Sequence, residues 1–212
     1  MSTMSTEHRS LLMNANRRLG AALVDHNLVK IEDLEKANER LLEIVATNQP
    51  RQSTVLGILA YEMKVVREED VLSHLVESES VGLVDLREYD VSEDLKKGMD
   101  RGAAWATWSV PFDQEEDFTF IATAYYLSPA VRNYWEKQFP GPVLWYGTTL
   151  ESIADFLERA DAESANTRSP FAAKTPVAAP KTGTTKPPFP SSTSKGSSTA
   201  KPFPAKVVSK AS

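Results

Sequence analysis

Apolar residues in the first 80 positions recur every three or four places, the spacing of helices that bury one face. Leu12, Ala15, Leu19 and Leu23 make one such stripe, and Ile31, Leu34, Ala37, Leu41 and Ile44 a second. Both return further along: Val55, Leu56, Leu59, Ala60 and Met63 repeat the first, and Val71, Leu72, Leu75 and Val76 repeat the second. An offset of 37 residues lays Leu19-Gly20 on Leu56-Gly57, Leu28-Val29 on Val65-Val66, and Glu32-Asp33-Leu34 on Glu69-Asp70-Val71. Self-similarity at such a period marks a structural repeat. Each unit is predicted as a helix, a short elbow and a second helix, with Thr47–Ser53 and its Pro50 linking the units.

The period changes near Val81. Val81–Leu86 reads as a short strand, and Ser92 as the N-cap of a short helix to Met99, with Glu93 and Asp94 in its first turn. Thr107–Phe112 and Phe118–Tyr125 are rich in aromatic and β-branched residues and read as strands, with the acidic run Asp113–Asp117 as the turn between them. Ser128-Pro129 opens a helix running to about Gln138. Val143–Tyr146 is a further strand and Thr149–Arg159 a last helix. The predicted fold class is α+β: a helical tandem repeat over 11–80, then a small α/β subdomain over 81–163, after a flexible N-terminus of ten residues. Trp105, Trp108, Trp135 and Trp145 all fall in the second part, where packing helices onto a small sheet is their expected work.

Charge divides the chain again. The first 163 residues hold 16 basic and all 29 acidic residues, a net −13, while the last 49 hold eight basic residues and no acid. That last segment carries eight prolines, nine serines and seven threonines. It cannot bury enough apolar surface to offset an ordering entropy of about 1–2 kcal/mol per residue, so 164–212 is expected to be a disordered basic tail. Its aromatics are Phe171, Phe189 and Phe203, each preceded by proline and followed by a lysine, and they are read either as three weak interaction motifs or as ordinary linker composition.

Catalytic chemistry is poorly supplied. There is no cysteine, and the histidines are His8, His26 and His74, with no second His or Cys at ligand spacing, which argues against a metal role. No nucleophile–base pair and no G-x-x-x-x-G-K-[S/T] run occurs in the sequence. Glu68-Glu69-Asp70 reads as a helix start. The expectation is a non-enzyme without metal or cofactor. The acidic body disfavours specific nucleic-acid binding, and no apolar run reaches the roughly 20 residues of a membrane span, so direct membrane insertion is not expected. The opening MSTMSTEHRS lacks a secretory apolar stretch, and the expected location is cytoplasmic. Arg18-Leu19-Gly20 admits two readings. Leu19 is core, Gly20 admits a neighbouring helix and Arg18 is a solvated charge; or Arg18 and an accessible backbone form an anion seat.

These motifs, in this order, resemble the N-terminal domain of type II secretion and type IV pilus assembly ATPases. The resemblance rests on the tandem R-L-G-x-x-L, apolar pair and E-D-x-L pattern, on Leu83-Val84-Asp85-Leu86 with Tyr89-Asp90-Val91, on Val110-Pro111-Phe112, on Phe120–Ala124 and on Val143–Thr148. It spans about Leu11 to Arg159. It implies a regulatory or docking module, an adaptor with protein partners of the secretion or pilus machinery. Some members of that family bind cyclic-di-GMP, and the residues so implied here are Arg18, Leu19, Gly20, Leu23, Val24, Leu28 and Val29. The match is incomplete. Asn27 and Lys64 stand where the elbows have Gly, Leu41 and Ser78 where the units end in Gln, and Val55 where the second unit has Arg. A diphosphate ligand would lose one of two cations at Val55, and an Arg there is expected to strengthen binding. Adaptor and cyclic-di-GMP sensor are the two functional expectations.

Overall fold

The computed structural model describes residues 5–46 and 54–167, with side chains as far as 163. The chain divides into Met1–Phe171 and Ala172–Ser212. The linker Thr47–Ser53, the tail from 168 onward and with it Phe171, Phe189 and Phe203 lie outside the described residues.

Helix α1 (Thr6–Asp25) starts five residues earlier than the expected boundary at Leu11, because Ser5 caps it by accepting the His8 N–H at 3.1 Å. The predicted stripe is its inner face: Leu12, Ala15, Leu19 and Leu23 are buried. The helix ends in a Schellman turn. Leu28 N–H donates to Leu23 O and Asn27 N–H to Val24 O, both at 2.9 Å, with Asn27 in the left-handed region at φ 58°. Helix α2 (Ile31–Ala46) follows, burying Ala37, Leu41 and Ile44.

The second unit keeps the order but not the shape of the first. Its leading helix α3 is one turn, Val55–Gly57, capped by Thr54, and it widens into a π-helical stretch at Ile58–Glu62. Lys64, the counterpart of Asn27, again takes positive φ, at 56°, and α4 (Glu68–Ser78) completes the unit. The two elbows thus share a left-handed residue at the same repeat position, without glycine at either.

After the two-residue strand β1 (Gly82–Leu83), helix α5 (Glu93–Gly98) has Ser92 as its N-cap, as predicted. An unpredicted helix α6 (Arg101–Thr107) comes next, capped by Asp100, whose side chain accepts the Ala103 N–H at 3.1 Å. Strand β2 (Ser109–Glu115) therefore starts two residues later than expected and takes Asp113–Glu115 out of the expected turn, which tightens to Glu116-Asp117 before β3 (Phe118–Thr123). Helix α7 (Pro129–Glu136), strand β4 (Val143–Gly147) and helix α8 (Leu150–Thr167) complete the described chain. Helix α8 runs eight residues past Arg159 and so enters the segment assigned to the tail.

The sheet order is β1-β4-β3-β2, with β3 parallel to β4, β4 parallel to β1, and β2 antiparallel to β3. Pro111 is tolerated because β2 is an edge strand with a bulge between Pro111 and Asp113. The helical and α/β halves share one core: Leu19, Leu41 and Leu75 belong to the same buried cluster as Ile121, Trp135 and Leu157. A buried polar network joins them. Asn16 Oδ1 accepts the Val55 N–H at 2.7 Å, and the Tyr125 hydroxyl lies 2.7 Å from that oxygen and 2.5 Å from Thr54 Oγ1. Asn16 Nδ2 donates back to Leu12 O at 2.9 Å, and Ser128 Oγ donates to Ala15 O at 3.0 Å.

Candidate functional site

The seven residues implied by the resemblance separate into two groups. Leu19, Gly20 and Leu23 are buried, and a Cβ on Gly20 would stand 2.5 Å from Leu34 Cδ1 of α2. Gly20 is therefore a close-approach glycine, the first of its two readings. Val24, Leu28 and Val29 line a shallow elbow groove of about 790 Å³ with Asn27, Lys30, Ile31, Glu32, Asp33 and Val65. Arg18 is exposed and does not line it. The groove's lining cation is Lys30, Glu32 and Asp33 line it too, and its apolar wall draws Val65 from the second unit. Val55 is wholly buried and its N–H is held by Asn16. An Arg at 55 would enter the core instead of the groove, so the expectation that it strengthens a ligand site is overturned.

Gly57, the counterpart of Gly20, has a different neighbour. A Cβ there would meet Thr54 Cγ2 at 2.8 Å and Leu150 Cδ1 at 3.6 Å, so the second unit turns this face toward its own cap and α8. The repeat is preserved in sequence and in its elbow dihedrals, but not in what its glycines pack against.

A second concavity, of about 670 Å³, opens between α5, β2 and α7. Its floor is apolar: Met99, Pro111 and Trp135 are buried, and Leu95, Tyr134 and Phe139 half-buried. Carboxylates of Asp94, Asp100, Asp113 and Glu116 ring it, and no Lys or Arg lines it. Two of the four are engaged. Asp100 Oδ2 lies 3.0 Å from His8 Nε2, and Asp113 accepts the Tyr89 hydroxyl at 2.6 Å. That hydrogen bond, with some burial, pushes the Tyr89 phenol up to about 12. Burial, reinforced by the charges of Asp100 and Glu7, raises Tyr134. Asp94 and Glu116 are exposed. Such a surface has a negative potential over an aromatic floor, suited to a cationic guest with an apolar anchor.

No protein family model matches the chain, and none of the curated proteins is detectably similar to it in sequence. Two likenesses come from among the solved structures that match. One is to MshE with cdg, at 20% identity and a TM-score of 0.44, covering 68% of this chain and 98% of that one. The other is to the N-terminal domain of XpsE, at 19% identity and the same TM-score, covering 75% and 99%. Values this low carry nothing about ligand, partner or activity.

The acidic groove was not foreseen, since its walls come from three elements brought together by the chain reversal at β2. The buried carboxylate of Glu68 was also missed. Read as a helix start, which it is, Glu68 further accepts the Leu150 N–H at 2.9 Å, capping α8, and the Tyr61 hydroxyl. Burial raises its pKa above the ordinary carboxylate range, although these two hydrogen bonds pull the other way. Although no second His stands at ligand spacing along the chain, the fold brings two together: the His26 and His74 rings sit 4.5 Å apart, centroid to centroid. Among the described residues no helix is long and apolar enough to cross a membrane.

Proposed function

We propose that this chain is a non-catalytic docking module, an adaptor of the kind its motifs resemble in secretion and pilus ATPases, acting in the cytoplasm. The partner it takes is a protein presenting a short basic segment with an apolar anchor. The observation that carries this reading is the groove between α5, β2 and α7, with four carboxylates, no lining cation and an aromatic floor. Complementary charge accelerates encounter and rejects acidic partners, while the buried aromatic contact supplies most of the affinity. The tail's Phe171, Phe189 and Phe203 serve as three weak motifs for a further partner surface, gaining strength through linkage.

A cyclic-di-GMP sensor is the second reading, favoured by the gathering of Val24, Leu28, Val29 and Lys30 in one groove. Glu32 and Asp33 in the same groove, and the burial of Val55, speak against a dianion there. Calorimetry with the full chain separates the two readings. The docking reading expects binding of a lysine-rich peptide with a central phenylalanine and no heat with cyclic-di-GMP. Binding of cyclic-di-GMP that Arg18→Ala or Lys30→Ala abolishes, with no binding of the peptide, would reverse the order.

A further inference from the structure

We infer that His26, His74 and Glu79 form a binding site for a divalent transition metal ion of the zinc class. One donor atom from each lies within 4.8 Å of the other two. His26 is far in sequence from His74 and Glu79 and meets them because its ring, at the end of α1, lies beside His74 in the last part of α4. His26 is the C-cap residue of α1, and Glu79 is that of α4. His74 is one turn back from Glu79.

The chemistry of His74 points the same way. Its Nε2 is enclosed and meets no hydrogen-bond partner among the described residues, while its Nδ1 lies 3.3 Å from Ser78 Oγ. A buried imidazole nitrogen without a partner is costly. A metal-bound histidine has this same division of labour, one nitrogen on the ion and the other held by a neighbouring polar group that fixes the ring. The His26 ring, tilted 54° to that of His74, lies beside it.

The electrostatics favour a cation. The C-terminal end of a helix carries about half a negative charge, and here two such ends converge. Neither α1 nor α4 has a basic residue in its last turn to meet that charge. Two neutral imidazoles and one carboxylate would leave a divalent ion at +1, with a fourth position open to water. Nitrogen donors with a single carboxylate select zinc, nickel, cobalt or copper over calcium or magnesium. Tetrahedral coordination with zinc–nitrogen bonds of about 2.0–2.1 Å sets donors about 3.3–3.4 Å apart, so a cluster whose donors lie within 4.8 Å must close around the ion. His26, exposed at the helix end, can supply that by side-chain rotation.

Isothermal titration of the full chain with ZnCl2, alongside the visible absorption of added Co2+, tests the site. The expected result is one ion per chain, a tetrahedral Co2+ spectrum, and a loss of affinity of at least tenfold in His26→Ala and in His74→Ala, with His8→Ala unchanged. Because His74 is partly enclosed, His74→Ala could unfold α4; exposed His26 keeps the test decisive on its own. No stoichiometric binding by the intact chain, or binding that His26→Ala leaves intact, overturns the inference.

Discussion

Replacing Asn16 by Ala removes the hub that joins α1, the start of α3 and the segment after β3. Its Oδ1 accepts the Val55 N–H and the Tyr125 hydroxyl, each at 2.7 Å. Without it the Val55 N–H is left buried and unpaired, a loss of about 1–3 kcal/mol, and the phenol loses a partner worth about 1 kcal/mol. Alanine's better helix propensity returns about 0.5 kcal/mol. The net destabilisation is therefore about 1.5–3.5 kcal/mol. Tyr125→Phe is the informative companion. The phenol's one proton faces two oxygens, and Asn16 Oδ1 can only accept, so the Thr54 hydroxyl supplies the second proton. Losing the phenol leaves Asn16 on Val55 and Thr54 Oγ1 accepting the Gly57 N–H at 3.3 Å, so the loss is about 0.5–1.5 kcal/mol. Urea unfolding followed by tryptophan fluorescence measures both. Equal losses in the two variants, or less than about 1 kcal/mol for Asn16→Ala, would refute the hub.

Three further outcomes are expected. Glu68, whose pKa is raised by burial, contributes stability that is present below its unfolded value of about 4.3 and lost as pH rises through the folded value. Glu68→Gln should accordingly raise the thermal midpoint at pH 7, with the gain shrinking toward pH 3; a gain that grows on acidification would contradict this. Val55→Arg should unfold the protein or lower its midpoint sharply, since it forces a guanidinium into a fully buried site, as circular dichroism melting would show. Truncation after Thr167 should leave the midpoint within about 2 °C of the full chain, because the described core ends with α8, and a larger fall would place residues beyond Thr167 in the folded unit.

Local signals explain most of what was legible in the sequence. The Leu12–Leu23 stripe, the Ser92 cap and the Ser128-Pro129 start are each written within a few residues, and the 37-residue offset located both left-handed elbows at Asn27 and Lys64. Helix α6 escaped because Ala103 through Thr107 are all buried, leaving no polar face to give a period, although Asp100 three residues before Ala103 was a usable cap signal. The end of α8 was misplaced because the apolar period stops before Ala160 and Ser164–Thr167 is polar and was assigned to the tail; Ala160, Ala162, Glu163 and Ala165 there still favour a helix. The candidate sites were least legible. His26 and His74, or Asp94 and Glu116, meet only through tertiary packing, and no spacing along the chain records it.

Charge reversal in the groove tests the central claim most directly. Asp94 on α5 and Glu116 in the turn after β2 both line the groove and are exposed, so Asp94→Lys with Glu116→Lys should leave the fold intact. Each exposed pair with a guest lysine contributes about 0.2–1 kcal/mol, and reversal adds repulsion of similar size. Titrating the full chain with the lysine-rich phenylalanine peptide at low and physiological salt, the account predicts roughly tenfold weaker binding in the double variant and a much smaller salt dependence than in the wild type. Peptide affinity and salt dependence unchanged by the reversal would contradict it.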